Sequence, residues 1–171
     1  KAMDVREGSL YLAGAFTHTT GPDTPAVWAR NAVRIGIADR KPDRNWNPNF
    51  NGTVNGIGAS TDGERVYAAG YFSRSKDSSA FRLAAVNASD AVQPREWNYK
   101  PSYTPAYPDR VMWGFQFDVQ DTDEGQVWVG GTEHMLHRYD SRTLQRTGSN
   151  ITRDGGDFQS LSSSGRTMYG S

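Results

Sequence analysis

The densest set of chemistry-bearing side chains is Asp118-Val119-Gln120-Asp121-Thr122-Asp123-Glu124-Gly125, four acids within eight residues. Closely spaced carboxylates ahead of a glycine are how an oxygen-rich loop surrounds Ca²⁺. Asp118, Asp121 and Asp123 are therefore the metal candidate, and calcium is the one cofactor the pattern suggests. No glutamate stands at the twelfth position of an EF-hand loop, and the sister stretch Thr61-Asp62-Gly63 is a plain turn, so the expected reading is a solvated hairpin with no metal, and the Ca²⁺ loop is the alternative. Glu133, His134 and His137 form a second candidate, His-x-x-His with an adjacent acid. On a helix that spacing can hold zinc. On a strand, residues i and i+3 point to opposite faces, and a shared metal needs a turn between them.

A third cluster suits binding rather than catalysis. The segment Tyr99-Lys100-Pro101-Ser102-Tyr103-Thr104-Pro105-Ala106-Tyr107-Pro108-Asp109-Arg110 sets Tyr99, Tyr103 and Tyr107 four residues apart between prolines, with Asp109, Arg110 and Trp113 following. Stiffened aromatics beside an acid–base pair stack on sugar rings or peptide side chains. These six residues are the expected ligand-binding set. No catalytic set is expected. There is no Gly-x-Ser-x-Gly elbow, and no phosphate-cradling glycine loop opens a helix. His18 lies alone near a threonine-rich turn. The sequons at Asn51, Asn87 and Asn150 are no more than chance supplies in a chain rich in serine and threonine.

The elements that must position these groups repeat along the chain. One apolar-aromatic-glycine word recurs as Leu10-Tyr11-Leu12-Ala13-Gly14, Val66-Tyr67-Ala68-Ala69-Gly70 and Val127-Trp128-Val129-Gly130-Gly131, with a partial copy at Met168-Tyr169-Gly170. Gly8, Gly63, Gly125 and Gly165 stand just ahead of the copies, and Glu7-Gly8, Asp62-Gly63 and Glu124-Gly125 suit tight hairpin turns. Trp46 and Trp97 occupy matching places and are expected between sheets, each with its indole N–H on a neighbouring carbonyl or asparagine. The first full unit reads as four strands, at about Thr53–Ser60, Glu64–Ala69, Arg82–Asn87 and Arg95–Tyr99. The third copy is shorter and lacks the Phe-Thr and Trp-Asn words. A repeated four-stranded unit of this length is a β-propeller blade, which needs neighbours to cover both faces of its sheet. The expected fold is all-β, an arc of about three blades from a larger propeller, with units at 1–50, 51–109 and 110–156 and the start of another at 157–171. The chain opens at Lys1 and stops inside a strand-like stretch, which reads as either a processed product or a section of something longer.

The words Leu10-Tyr11-Leu12-Ala13-Gly14-Ala15-Phe16-Thr17, Trp46-Asn47-Pro48-Asn49-Phe50-Asn51-Gly52-Thr53-Val54 and Asp62-Gly63-Glu64-Arg65-Val66-Tyr67-Ala68-Ala69-Gly70-Tyr71-Phe72 resemble the delta-sixty-repeat β-propeller family. The resemblance covers residues 9 to about 98 well and continues loosely through Val127–Gly131 and Tyr139-Asp140. It implies a secreted or cell-surface bacterial protein, and it brings no catalytic residues, the family being largely of unknown function.

Composition narrows the function further. The 19 basic and 19 acidic residues cancel, which excludes nucleic-acid binding by bulk charge. No apolar run approaches the ~18 residues of a membrane helix. Cysteine is absent, and with it any disulfide, thiolate metal site or thiol nucleophile. The expected function is a non-catalytic extracellular or cell-surface scaffold or binding module, with a glycan or protein ligand and further blades from its own chain. The alternatives are a glycan hydrolase or lyase working at the central channel and a structural part of a cell-envelope assembly. Paired carboxylates on the innermost strands favour the enzyme. The residues expected there are Asn55, Trp113, Phe115, Gln116, Phe158 and Gln159, with Asp157 at one edge.

Overall fold

The computed structural model describes residues 1–97, 116–122, 124–131, 135–151, 156–164 and 166–171. All regular structure among them is β, and none of their segments is a helix long and apolar enough to cross a membrane. Four antiparallel sheets follow one another along the chain. The first is β1 (Ala2–Arg6), β2 (Ser9–Ala13) and β5 (Ala32–Gly36), with a small hairpin, β3 (His18–Thr19) and β4 (Val27–Trp28), inserted before β5. The second repeats this plan with β6 (Val54–Ala59), β7 (Arg65–Gly70) and β10 (Leu83–Asn87), and with the hairpin β8 (Arg74–Ser75) and β9 (Ser78–Ser79). The third is β11 (Gln116–Thr122), β12 (Gln126–Gly131), β13 (Met135–Asp140) and β14 (Arg146–Ile151). The fourth is the pair β15 (Leu161–Ser164) and β16 (Thr167–Gly170).

The glycines ahead of the repeated word do what the turns require. Gly8, Gly63 and Gly125 have φ of 74°, 75° and 69°, the left-handed region that glycine enters without a Cβ clash. The glycine that closes the word has a different task. A Cβ on Gly70 would lie 2.2 Å from the carbonyl of Thr53, at the point where β6 bulges between Val54 and Gly56 against β7. A bulge crowds the partner strand, and only glycine leaves the room.

The sheets pack face to face in sequence order, and the first strand of each lies beside the first strand of the next, β1 by β6, β6 by β11 and β11 by β15. Two cores fill the spaces between the larger sheets. Tyr11, Ala13, Ala32, Trp46 and Phe50 from the first repeat meet Ile57, Val66, Ala68, Ala84 and Val86 of the second. Tyr67, Ala69, Leu83, Ala85 and Trp97 meet Val119, Val127, Val129 and Tyr139 of the third. The pleat alternates sides. Tyr11 and Tyr67 therefore each cover the sheet that follows, while Val66 and Ala68, and Val127 and Val129, receive the sheet that precedes. Trp46 turns its edge to Tyr11 at 5.3 Å and donates its indole N–H to the carbonyl of Asn87 across the junction, at 3.2 Å. Trp97 sits edge-on to Tyr67 and Tyr139 at 5.9 and 5.1 Å. Phe50 stacks on Phe72 at 4.4 Å, and Asn51 accepts the N–H groups of Ser73 and Arg74. The Trp-Asn-Pro-Asn-Phe-Asn word is thus the crossing from one sheet to the next.

Three expectations need correction. The Trp97 indole N–H, expected on a carbonyl or asparagine like that of Trp46, is buried with no hydrogen-bond partner among the described residues. The fourth strand expected at Arg95–Tyr99 is not formed over Arg95–Trp97, and residues 98 and 99 lie outside the described part. In the first repeat the corresponding stretch makes only an isolated bridge, Ile35 to Pro42. Proline cannot donate to a ladder, and Pro42, Pro48 and Pro94 interrupt these stretches. The third sheet, whose missing words marked it as a shorter copy, has four strands among the described residues, because Arg146–Ile151 contains no proline and pairs with β13 across one irregularity at Arg138 and Tyr139.

Candidate functional site

The first strands of all four sheets line one polar cavity of about 230 Å³, with Asp4, Arg6, Gly58, Gln120, Asp121 and Ser163 in its wall. Alternation in Met3-Asp4-Val5-Arg6 leaves Met3 and Val5 outward and sends Asp4 toward the second sheet. Its Oδ2 accepts the N–H of Ala59 on β6 at 2.7 Å, and its Oδ1 accepts the N–H of Val5 at 2.8 Å. Gly58 admits β11 closely, since a Cβ there would lie 3.0 Å from the carbonyl of Val119.

Asp118 and Asp121 on β11 reach in opposite senses. Asp121 Oδ2 accepts the N–H of Thr61 in the second repeat at 2.8 Å, whereas Asp118 Oδ2 accepts the N–H of Leu161 on β15 at 2.9 Å. Burial pushes both carboxyls above the ordinary carboxylate range, and the N–H groups they accept only partly offset it. The two candidate calcium ligands therefore tie the third sheet to its two neighbours and do not converge on one ion. Asp123, the third, lies outside the described residues. Among the described residues no group of three His, Cys, Asp or Glu side chains could hold a metal ion.

The His-x-x-His stretch is described only at its second histidine. Glu133 and His134 lie outside the described residues. His137 is a buried residue of β13, opposite Val129, with Nδ1 3.0 Å from the Ser149 hydroxyl. It fills the place that Val33 and Ala84 take in the other repeats, which is a packing role. Tyr99, Tyr103, Tyr107, Asp109, Arg110 and Trp113, the expected ligand-binding set, all lie outside the described residues. Of the residues expected innermost, Asn55 is the bulge residue of β6. The sequence reading overlooked Asp4, Asp118 and Asp121 in that role; the signal for Asp4 was the apolar–polar alternation of residues 2–6.

A second opening, of about 870 Å³, lies between the second and third sheets beside their hairpin turns. Several of its charged groups are engaged in structure. Arg65 donates to the carbonyl of Ser141 at 2.6 Å, spanning the opening. The Ser60 hydroxyl donates to Asp62 at 2.6 Å and, with the N–H of Glu64, holds that carboxyl below its usual range. Burial, reinforced by the Asp121 charge, raises the Tyr67 phenol, so it stays protonated. Farther off, Arg34 pairs with Asp43 and reaches the carbonyl of Ala88 in the next repeat.

No family model and no curated protein matches the chain. Among solved structures it is similar to the computationally designed Ika8 protein, at a TM-score of 0.60 and 8% identity, over 99% of this chain and 41% of that one. The chain thus spans about two fifths of that protein's length, and at this identity the likeness concerns the fold alone.

Proposed function

We propose that the chain is an arc of a β-propeller, of the delta-sixty-repeat kind, serving as a non-catalytic scaffold or binding module outside the cell or at its surface. The stacking of the sheets supports the arc. Ile57, Ala59, Val66, Ala68 and Val86 on the second sheet are buried under the first, and Val119, Val127 and Val129 on the third are buried under the second. The matching face of the first sheet carries Met3, Val5, Leu10, Leu12 and Ile35, with Met3 72% and Val5 55% exposed. At the other end Tyr169, in the covering position of Tyr11 and Tyr67, is 58% exposed. Each end offers half of the junction formed twice inside the chain, so further sheets of the same kind complete both.

The observation that carries the functional reading is the use of the first-strand acids. Hydrolysis of a glycosidic bond needs two carboxyls free to face one bond. Asp4, Asp118 and Asp121 instead accept backbone N–H groups of neighbouring sheets. Incubating the protein with panels of oligosaccharides and peptides, while following retention and product release together, tests this. Retention without turnover is expected. Release of new reducing ends that disappears in Asp4→Asn or Asp121→Asn protein refutes the reading in favour of an enzyme.

A further inference from the structure

The hairpins inserted in the first two repeats share one backbone and differ in what they display. In the first, His18 pairs with Trp28 and Thr19 with Val27. In the second, Arg74 pairs with Ser79 and Ser75 with Ser78. Matching bonds fix the alignment. Ala29 donates to the carbonyl of Thr17 and Asn31 to that of Phe16, as Ala80 does to Ser73 and Arg82 to Phe72, all at 2.9–3.0 Å. Trp28 therefore stands where the sister repeat has serine, and His18 where it has arginine. The architecture requires no aromatic at either place.

Yet the first repeat holds its tryptophan in water. Val27 is buried, so alternation turns Trp28 outward, where it is 50% exposed. His18 stands edge-on to it at 5.0 Å and 84°. His18 Nδ1 lies 3.0 Å from the Thr17 hydroxyl, and its Nε2 has no partner among the described residues. The mount is firm. The Asn47 amide donates to the carbonyl of Trp28 at 3.3 Å while its oxygen accepts the N–H groups of Arg30 and Asn49. Gly21 presses the hairpin loop against the body, since a Cβ there would lie 2.6 Å from the carbonyl of Arg40. A binding group held this way loses little freedom when it engages a ligand.

We propose that the His18–Trp28 pair is a platform for one pyranose ring of a neutral glycan. A pyranose has an apolar C–H face and a rim of hydroxyls, matching one indole face bordered by hydrogen-bonding groups. A protein partner calls for a wider apolar surround, and the other exposed large hydrophobics, such as Met3, Ile37 and Val92, belong to other elements. This inference rests on the binding-module reading and names its ligand class and site.

The test titrates the full chain with cellohexaose, laminarihexaose, mannohexaose and chitohexaose, and with a proline-rich and an aromatic peptide, by calorimetry and tryptophan fluorescence. Trp28→Ser, which restores the sister repeat's residue, and His18→Ala are titrated alongside. At least one hexasaccharide is expected to bind, roughly tenfold more weakly to Trp28→Ser, with the variant's melting temperature unchanged. Glycan binding that Trp28→Ser leaves intact overturns the platform and spares the module. Binding of peptides alone overturns it in favour of a protein partner. Binding of none of the probes counts against platform and module together.

Discussion

Replacing Trp46 by alanine tests the sheet-to-sheet packing most directly. The side chain is fully buried, edge-on to Tyr11, and bonded to the carbonyl of Asn87 in the next repeat. A buried tryptophan removed to alanine costs about 3–5 kcal/mol in transfer and cavity terms. The Asn87 carbonyl still accepts the N–H of Ala91 at 3.1 Å, so losing the indole bond adds at most about 1 kcal/mol. The expected loss is therefore roughly 3–6 kcal/mol, a large part of the ~5–15 kcal/mol that holds an ordinary domain together. Trp46→Phe keeps a ring against Tyr11 but removes the donor and part of the area, for an expected cost of about 1–2 kcal/mol. Trp28→Ala, at the exposed hairpin, should change stability by less than about 0.5 kcal/mol. Urea titrations followed by circular dichroism rank the three. If Trp46→Ala falls within about 1 kcal/mol of the parent, or Trp28→Ala is as damaging, the reasoning about which aromatics join the sheets is wrong.

Other perturbations probe the ties and the close approaches. Asp4→Ala strands the N–H of Ala59 and should cost about 1–3 kcal/mol by denaturant titration, whereas Asp4→Asn keeps an acceptor and should cost less than half as much. Gly70→Ala drives a Cβ into the carbonyl of Thr53 and should cost at least about 3 kcal/mol; Gly8→Ala has open space and only its positive φ to strain, so about 1–2 kcal/mol is expected. The acids respond to pH in opposite senses. Burial opposes ionisation of Asp43, but the bonds from Arg34 and the N–H of Asn45 outweigh it and hold the carboxyl below 3.8; its stabilisation is complete above that value and lost as pH falls through the folded one. Asp121 is raised by burial, so the folded state keeps its proton after the unfolded state has released one, and stability falls as pH climbs from 3.8 through the folded value. Melting curves from pH 3.5 to 7 should show Asp121→Asn gaining on the parent as pH rises, and a gain as pH falls would contradict the assignment.

Much of the fold could be read locally. Tight turns need positive φ, so the acid–glycine pairs marked Gly8, Gly63 and Gly125, and the period-two words between them marked the strands. Recurrence of those words showed that each sheet must rely on the next. The proline-interrupted fourth strands were less legible, because aromatic residues such as Trp97 serve equally in a strand and in a buried irregular crossing. The site was read least well. The acidic run at residues 118–125 looks like a cation loop because sequence spacing does not reveal direction, and the pleat sends Asp118 and Asp121 to different neighbours. His18 carried no signal alone, since its meaning depends on Trp28, ten residues away and opposite it across a hairpin.

Sequence by itself determined the class of element and the place of its tight turns, because turn geometry and alternation act over a few residues. Tertiary structure alone decided which acids became ties between sheets and which aromatic was left facing water. Those outcomes depend on what stands across a junction or a hairpin, and that partner is distant in the chain.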